Sequence, residues 1–347
     1  MKIVFLYAGY SGYFCACCRA LALRRDVELK VFALTPQVPF SNEITEGVPL
    51  EKMALADYAD YGQFSRRVLS ESPDALIISG WGLPFCGKII RDKRFAPLPM
   101  LAIIDTSWKA SWRQLGARLV LRKFTQRING IIVAGERGRI FARWIGFPNN
   151  KIFISAYGCD YSMFSKVENP IHRNKSFLYV ARYVQQKGID TLLAAYGKYR
   201  RQVDSPWPLN CYGSGPLKGK LHNASGVVEH GFAQPMELLR IFSENGVYVL
   251  PSDNEPWGVS LVEAAAGGMP LLASHMVTST VDVVRHLYNG LVFPAGDVDA
   301  LTACLVWYHK HENRLHELGE ASRNYARAYS AEMWAERIIW AVNRCVK

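Results

Sequence analysis

The 347-residue sequence has no apolar run approaching the ~20 residues that cross a bilayer. Its opening run, residues 3–7, is shorter than the apolar core of a secretory signal. A cytosolic protein is expected, or one attached at the inner face of the cell membrane. Among the eight cysteines a C-x2-C spacing occurs once, from Cys15 to Cys18, with no second ligand pair, which disfavours a zinc site or a disulfide framework. Only Cys15, Cys17 and Cys18 cluster, and C-A-C-C reads as small buried residues of a first helix in a reducing compartment. The glycine turn Gly9-Tyr10-Ser11-Gly12 lacks the third glycine and the later acidic residue of a dinucleotide fingerprint. Asp297-Val298-Asp299 follows Gly296 and opens a helix, so a helix cap accounts for it better than a metal-binding D-x-D. No metal and no cofactor are expected.

Half of the residues are apolar and 12% are aromatic, which describes a globular chain long enough for two domains. The net charge of +11 is unevenly placed. Residues 1–150 hold 21 basic against 12 acidic side chains, and residues 151–347 hold 20 against 18. Residues 109–143 concentrate this excess in Lys109, Arg113, Arg118, Arg122, Lys123, Arg127, Arg137, Arg139 and Arg143, with Glu136 the one acid among them. Leu115, Leu119, Val120, Leu121, Phe124 and Ile128 recur between them at helical spacing. Two readings stand side by side: a basic amphipathic helix for an anionic membrane surface, or a solvated charged face over a core-facing stripe. Nucleic acid is not expected as a partner, because no recognised nucleic-acid motif accompanies the charge.

Short apolar runs at residues 3–7, 28–33, 75–79, 100–105, 130–134 and 151–155 alternate with helical patterns, including 13–24 and 57–70, as in a parallel sheet with helical crossovers. The polar stretch 165–175 reads as a linker, and the pattern restarts at residues 177–181. Asp105 stands at the carboxyl end of its strand, where ligands of open α/β sheets bind; capping of the next helix accounts for it equally well.

The richest stretch runs from Leu250 to Pro270. Val247 to Leu250 form a buried strand, Pro251 to Gly258 a turn, and Val259 onward a helix that Gly267 and Gly268 stop. Strand, glycine turn and helix together point free backbone N–H groups at an anion, commonly a phosphate. Glu255 and Glu263 flank that anion site. Carboxylates repel phosphate, so their partners are neutral hydroxyls, and a ligand with a central diphosphate and hydroxyls at both ends is a nucleotide sugar.

Glu255-x7-Glu263 with Gly258 between, in the form E-P-W-G and followed by E-A-A-A-G-G-M-P, resembles the signature of the retaining GT-B glycosyltransferases of family 4, the glycosyl transferases group 1. Arg182-x4-Lys187-Gly188 resembles that family's G-R-x4-K-G with Ala181 in place of the glycine. Gly213-Ser214-Gly215-Pro216 resembles its G-x-G-P turn, and His230-Gly231-Phe232 its later G-F turn. Ala156-Tyr157-Gly158-Cys159-Asp160 resembles N-G-V-D with two substitutions. The chain departs from the family at 275–282, and it has no histidine near Asp105.

The resemblance implies an α/β fold of GT-B architecture, two Rossmann-like parallel-sheet domains facing an interdomain cleft. Residues 1–165 would bind the acceptor, with helix 331–347 packing back onto them, and 166–330 would bind the nucleotide sugar. Glu255, Arg182 and Lys187 would act at the reacting centre: Glu255 on the donor sugar, the two cations on the departing diphosphate. The amides of Gly258, Val259, Ser260 and Leu261 would hold the diphosphate and Glu263 the ribose, with Gly213, Gly231 and Phe232 on the nucleotide side. Gly9, Gly12 and Asp105 would line the acceptor side. The expected activity is transfer from a nucleotide sugar to a glycan or lipid-linked acceptor, in bacterial surface polysaccharide or lipopolysaccharide synthesis. Two alternatives remain: a GT-B phosphorylase or synthase with a soluble acceptor, and a non-catalytic glycan- or nucleic-acid-binding scaffold.

Overall fold

A computed structural model describes residues 1–155, 157–168 and 174–346, in two compact units: Met1–Gly158 with Ala331–Lys347, and Cys159–Ser330. Ala156 of the N-G-V-D-like segment and residues 169–173 of the expected linker lie outside the described residues.

The first unit is a seven-stranded parallel sheet, ordered β3-β2-β1-β4-β5-β6-β7. Its strands are β1 (Lys2–Tyr7), β2 (Glu28–Leu34), β3 (Leu50–Met53), β4 (Ala75–Ile78), β5 (Met100–Ile104), β6 (Gly130–Val133) and β7 (Ile152–Ile154). Ile3 pairs with Leu29 on one side and Ala75 on the other, so β1 is central. Its Val, Ile, Leu and Phe side chains are buried on both faces, which is why these strands read as continuous apolar runs rather than alternating ones. The helices are α1 (Gly12–Ala22), α2 (Tyr61–Ser70), α3 (Pro84–Arg91), α4 (Trp112–Val120), α5 (Arg122–Arg127) and α6 (Gly135–Trp144).

The second unit is a six-stranded parallel sheet, ordered β10-β9-β8-β11-β12-β13. Its strands are β8 (Phe177–Val180), β9 (Leu209–Tyr212), β10 (Val227–Glu229), β11 (Val247–Leu250), β12 (Leu271–Ser274) and β13 (Gly290–Phe293). Helices α7 (Tyr161–Phe164), α8 (Ile189–Arg200), α9 (Lys218–His222), α10 (Leu238–Ser243), α11 (Val259–Ala266), α12 (Thr280–Val283), α13 (Val298–Lys310) and α14 (Leu315–Ala326) belong to it. The last helix, α15 (Ala331–Val346), belongs to the first unit, where it packs on α1 and places Trp334 5.9 Å from Phe5.

Three expectations need correction. The helical spacing from Leu115 to Ile128 within the basic stretch is carried by two helices, α4 and α5, rather than one, and β6 follows at the expected strand. Phe124 and Ile128 reach the core, but Leu115, Leu119 and Val120 are exposed, so the stripe is not core-facing throughout. Residues 57–70 do not form one helix either. A 3-10 turn covers Leu55–Tyr58, and Asp60 then caps α2 by accepting from the Gln63 amide at 3.0 Å. Finally, residues 165–168 are built into the second unit and are no linker. Asp160 caps α7, Phe164 is buried 5.6 Å from Phe242, and Arg323 donates to the Val167 carbonyl at 2.5 Å. Among the described residues no helix is long and apolar enough to cross a membrane.

Candidate functional site

Strand order fixes where a site can form in the second unit. The chain runs from β8 outward to β9 and β10, then returns to the other side of β8 as β11. The carboxyl ends of β8 and β11 therefore flank a topological switch point, where loops diverge and leave a crevice. The loop after β8 carries Arg182 and Lys187, and the loop after β11 carries Glu255 and Gly258. The two loops are tied together by backbone: the Asp253 amide donates to the Gln186 carbonyl at 3.0 Å. Gly188 (φ 71°) lies so close to Pro251 that a Cβ would stand 2.0 Å from the Pro251 carbonyl oxygen; only glycine allows this approach.

At this junction the Lys187 ammonium contacts the Glu255 carboxylate directly, and their side chains are 12% and 11% exposed. Ser252 Oγ donates to the same carboxylate oxygen at 3.5 Å, and Thr278 Oγ1 to the Glu255 carbonyl at 3.0 Å. Arg182 is exposed, and among the described residues its guanidinium has no ion-pair partner.

Helix α11 begins beside this pair. Gly258 precedes it with φ 92°, and a Cβ there would meet Val277 Cγ1 at 2.8 Å. Leu261 donates its amide to the Gly258 carbonyl at 3.0 Å, so it differs from the expected diphosphate-holding amides in being already engaged. Among the described residues the amides of Gly258, Val259 and Ser260 meet no acceptor. Three unpaired N–H groups with the helix dipole behind them form an anion site. Glu263, one turn further on, is half-buried, and burial, reinforced by the Asp160 carboxylate, pushes its carboxyl up to about 7.

The glycine turns after β9 and β10 close on the same edge. Gly213 donates to the Gly231 carbonyl at 2.8 Å, and a Cβ on Gly213 would fall 1.9 Å from the Ala181 carbonyl oxygen. Gly231 donates to Glu229 Oε1 at 2.7 Å, and Tyr183 donates to the same oxygen at 3.2 Å. Phe232 follows, half-buried. His230 stacks on Tyr212 at 4.4 Å, a structural contact. Asp297 accepts from the Ala300 amide at 2.9 Å, the helix cap that its D-x-D setting suggested.

In the first unit, Gly9 lies in the loop after β1, Gly12 opens α1 and Asp105 comes immediately after β5, all at the carboxyl edge of the sheet. Asp105 Oδ2 accepts from Tyr157 Oη at 3.2 Å, and the Tyr157 ring meets Tyr13 edge-on at 5.5 Å. Burial, with Tyr13, Tyr7 and Asp105 nearby, holds the Tyr157 hydroxyl well above its usual range, and so keeps it a neutral donor.

Residues 163–325 match the family glycosyl transferases group 1. The second unit carries a glycosyl transferases group 1 domain. Over 166 residues the chain is 28% identical to D-rhamnosyltransferase WbpZ of Pseudomonas aeruginosa, 45% of this chain and 42% of that protein. Over 183 residues it is 28% identical to an exopolysaccharide phosphotransferase of Streptomyces coelicolor, 49% of this chain and 19% of that one. The chain thus spans less than half the length of these curated relatives. Anabaena HepE, solved in complex with UDP, shares the fold over 99% of this chain and 100% of its own, with TM-score 0.76 and 14% identity. The lipopolysaccharide outer core galactosyltransferase WaaB does so over 99% of each, with TM-score 0.69 and 15% identity. The fold is GT-B.

Within the group 1 domain, the structure gathers Arg182, Lys187, Glu255, Gly258, Val259, Ser260, Glu263, Gly213 and Gly231 at one sheet edge. Gly9, Gly12 and Asp105 gather at the edge of the other sheet. Sequence reasoning missed the tyrosines of the first unit, Tyr7, Tyr13 and Tyr157. Their signal was present as aromatic residues at the end of β1 (Tyr7), at the start of α1 (Tyr13) and shortly after β7 (Tyr157). It also missed Glu229, whose carboxylate buttresses the Gly231 turn; nothing in the motif marks that residue.

Proposed function

We propose that this chain is a retaining, metal-independent glycosyltransferase of family 4 that moves a sugar from a nucleotide-sugar donor to a glycan or lipid-linked acceptor. The observation that carries the reading is the switch point of the group 1 domain. Its loops and the start of α11 carry two cations, two carboxylates and three unpaired amides, groups that a diphosphate flanked by hydroxyls would use. The amides of Gly258, Val259 and Ser260, with Arg182 and Lys187, stabilise the charge that builds on the diphosphate as the anomeric C–O bond breaks. Glu255 accepts from hydroxyls of the donor sugar, and Glu263 from the ribose. The acceptor hydroxyl attacks from the face the diphosphate leaves, and its proton passes to the departing phosphate oxygen. The products are the glycoside and a free nucleoside diphosphate, and no enzyme nucleophile is consumed. Asp105, Tyr157 and the Gly9–Gly12 loop orient the acceptor.

The acceptor class draws support from the relatives, whose names include exopolysaccharide and lipopolysaccharide enzymes. The test is thermal stabilisation in EDTA by a panel of nucleotide sugars and bare nucleoside diphosphates, on wild type and Glu263→Ala. A ligand at ~100 times its Kd stabilises by ~2.7 kcal/mol. A shift with one nucleotide series, lost in the variant, is expected. No shift with any donor, with or without membranes present, overturns the reading.

A further inference from the structure

Helix α4 is folded inside out. Its inner side is made by Gln114 and Ala117, with Leu121 just beyond its end; all three are half-buried, and Ala117 and Leu121 pack against the core of the first unit. Its outer side carries the larger apolar groups. Trp112 is 76% exposed, Leu115 52%, Leu119 81% and Val120 82%. These positions follow i, i+3, i+7 and i+8 spacing, which places them on one continuous stripe. No residue of α4 is buried, so the stripe is not covered by its own unit.

The helix is nonetheless held firmly. Gln114 Nε2 donates to the Ser107 carbonyl at 2.7 Å, and Trp144 Nε1 donates to the Gln114 carbonyl at 2.8 Å. Trp108 lies 5.1 Å from Trp144, and with Arg139, Ile140 and Arg143 they line an open groove of about 470 Å³ beside the helix start. Cations border the stripe on both sides. Arg113 lies over the Trp112 ring at 5.3 Å, Arg118 projects from the opposite flank, and exposed Arg122 and Lys123 open α5. From residue 106 to residue 135 the sequence has no acidic residue.

An apolar stripe framed by cations on a rigid helix matches one kind of surface, an anionic bilayer. Its acyl chains take Leu115, Leu119 and Val120, its interface takes Trp112, and its headgroups meet the arginines. A second copy of this chain fits poorly, because a two-fold contact would set the same four cations against themselves. We propose that α4 and the adjoining Trp108–Trp144 groove form a membrane-docking face that seats this protein on anionic lipid headgroups. This inference does not depend on the catalytic reading.

The experiment is flotation of the full chain with vesicles of phosphatidylcholine alone, or of phosphatidylcholine with about a third phosphatidylglycerol. It is run at ~0.1 M and ~0.5 M salt, where screening differs by about a factor of two in length. Wild type should float only with the anionic vesicles and release at high salt. Leu119→Ser/Val120→Ser should lose most of that binding, and Arg118→Glu should weaken it by more than the roughly five-fold expected per charge removed. These side chains are exposed, so unchanged thermal melting separates lost docking from lost folding. Light scattering and binding to a DNA duplex are measured alongside. Failure of wild type to float, equal flotation of the double variant, a dimer that the double variant breaks, or DNA binding in place of vesicle binding each overturns the proposal.

Discussion

The contact between Lys187 and Glu255 makes a prediction that separates two kinds of ion pair. If the pair merely braces the loops after β8 and β11, losing one partner harms ligand binding along with stability. If it instead stands where a diphosphate and a donor sugar act, each residue masks the other until ligand arrives. The perturbation is Glu255→Gln, which keeps the shape and removes the charge. Both side chains are nearly buried, at 12% and 11% exposure. Leaving one charge of such a pair unmatched costs ~3 kcal/mol at the lower end of the range for buried pairs. In a unit of this size that lowers Tm by roughly 6–12 °C. A phosphate bound on the far side of the ammonium would sit ~6 Å from the carboxylate, where removing the repulsion is worth ~3 kcal/mol at an effective dielectric of ~20. Bare nucleoside diphosphate should therefore bind ~100-fold more tightly to the variant and restore much of its lost Tm. The intact nucleotide sugar should lose that advantage, because Glu255 no longer receives the sugar hydroxyls. Calorimetric titration of both ligands on both proteins reads the outcome. Equal weakening of diphosphate and nucleotide sugar would refute the reasoning and leave the pair as a brace.

Glu263, raised to about 7 by burial, binds its proton more tightly folded than unfolded. Its contribution to stability is therefore complete below about pH 4.5 and lost as pH rises through about 7, by up to ~3 kcal/mol. Glu263→Gln should melt close to wild type at pH 5 and several degrees above it at pH 8; identical pH profiles would contradict this. Nucleotide affinity should rise with pH through the same window, since a ribose hydroxyl donates best to the ionised carboxylate. Gly188→Ala forces a Cβ to 2.0 Å from the Pro251 oxygen at φ 71°. It should cost at least ~2 kcal/mol, read as a fall in the denaturant midpoint, together with loss of donor binding. Tyr157→Phe removes the hydroxyl that meets Asp105 at 3.2 Å. It should raise the acceptor KM by about ten-fold, ~1.4 kcal/mol, and leave donor Kd unchanged.

The candidate site was legible because its residues are local in sequence. Glu255, Gly258 and Glu263 lie within one strand-turn-helix unit, so their spacing alone sets their relation. Arg182 and Lys187 joined them only through strand order, a long-range fact that motif order suggested and the sheet supplied. The short edge strands β3 and β10 escaped notice. Their residues, L-E-K-M and V-V-E, lack a sustained apolar period, and neighbours rather than propensity hold them in place. Helix α4 was legible in composition but not in orientation. Periodicity reports that a stripe exists and is silent on which way it turns.

The path of the backbone between the units has a consequence for biosynthesis. The Cys159 amide donates to the Tyr329 carbonyl at 2.8 Å, and Cys159 and Ser330 form a parallel bridge. The chain thus leaves the second unit beside the point where it entered. Everything the second unit needs is a contiguous run, available to a nascent chain as soon as it emerges. The first unit must wait for α15, because its Trp334, Ile338 and Val342 belong to that unit's interior. During synthesis the earlier-made half is the later to mature, and α1 remains without its covering helix until α15 has been made. A premature stop that spares the entire group 1 domain would still leave a protein with an open apolar wound at its beginning.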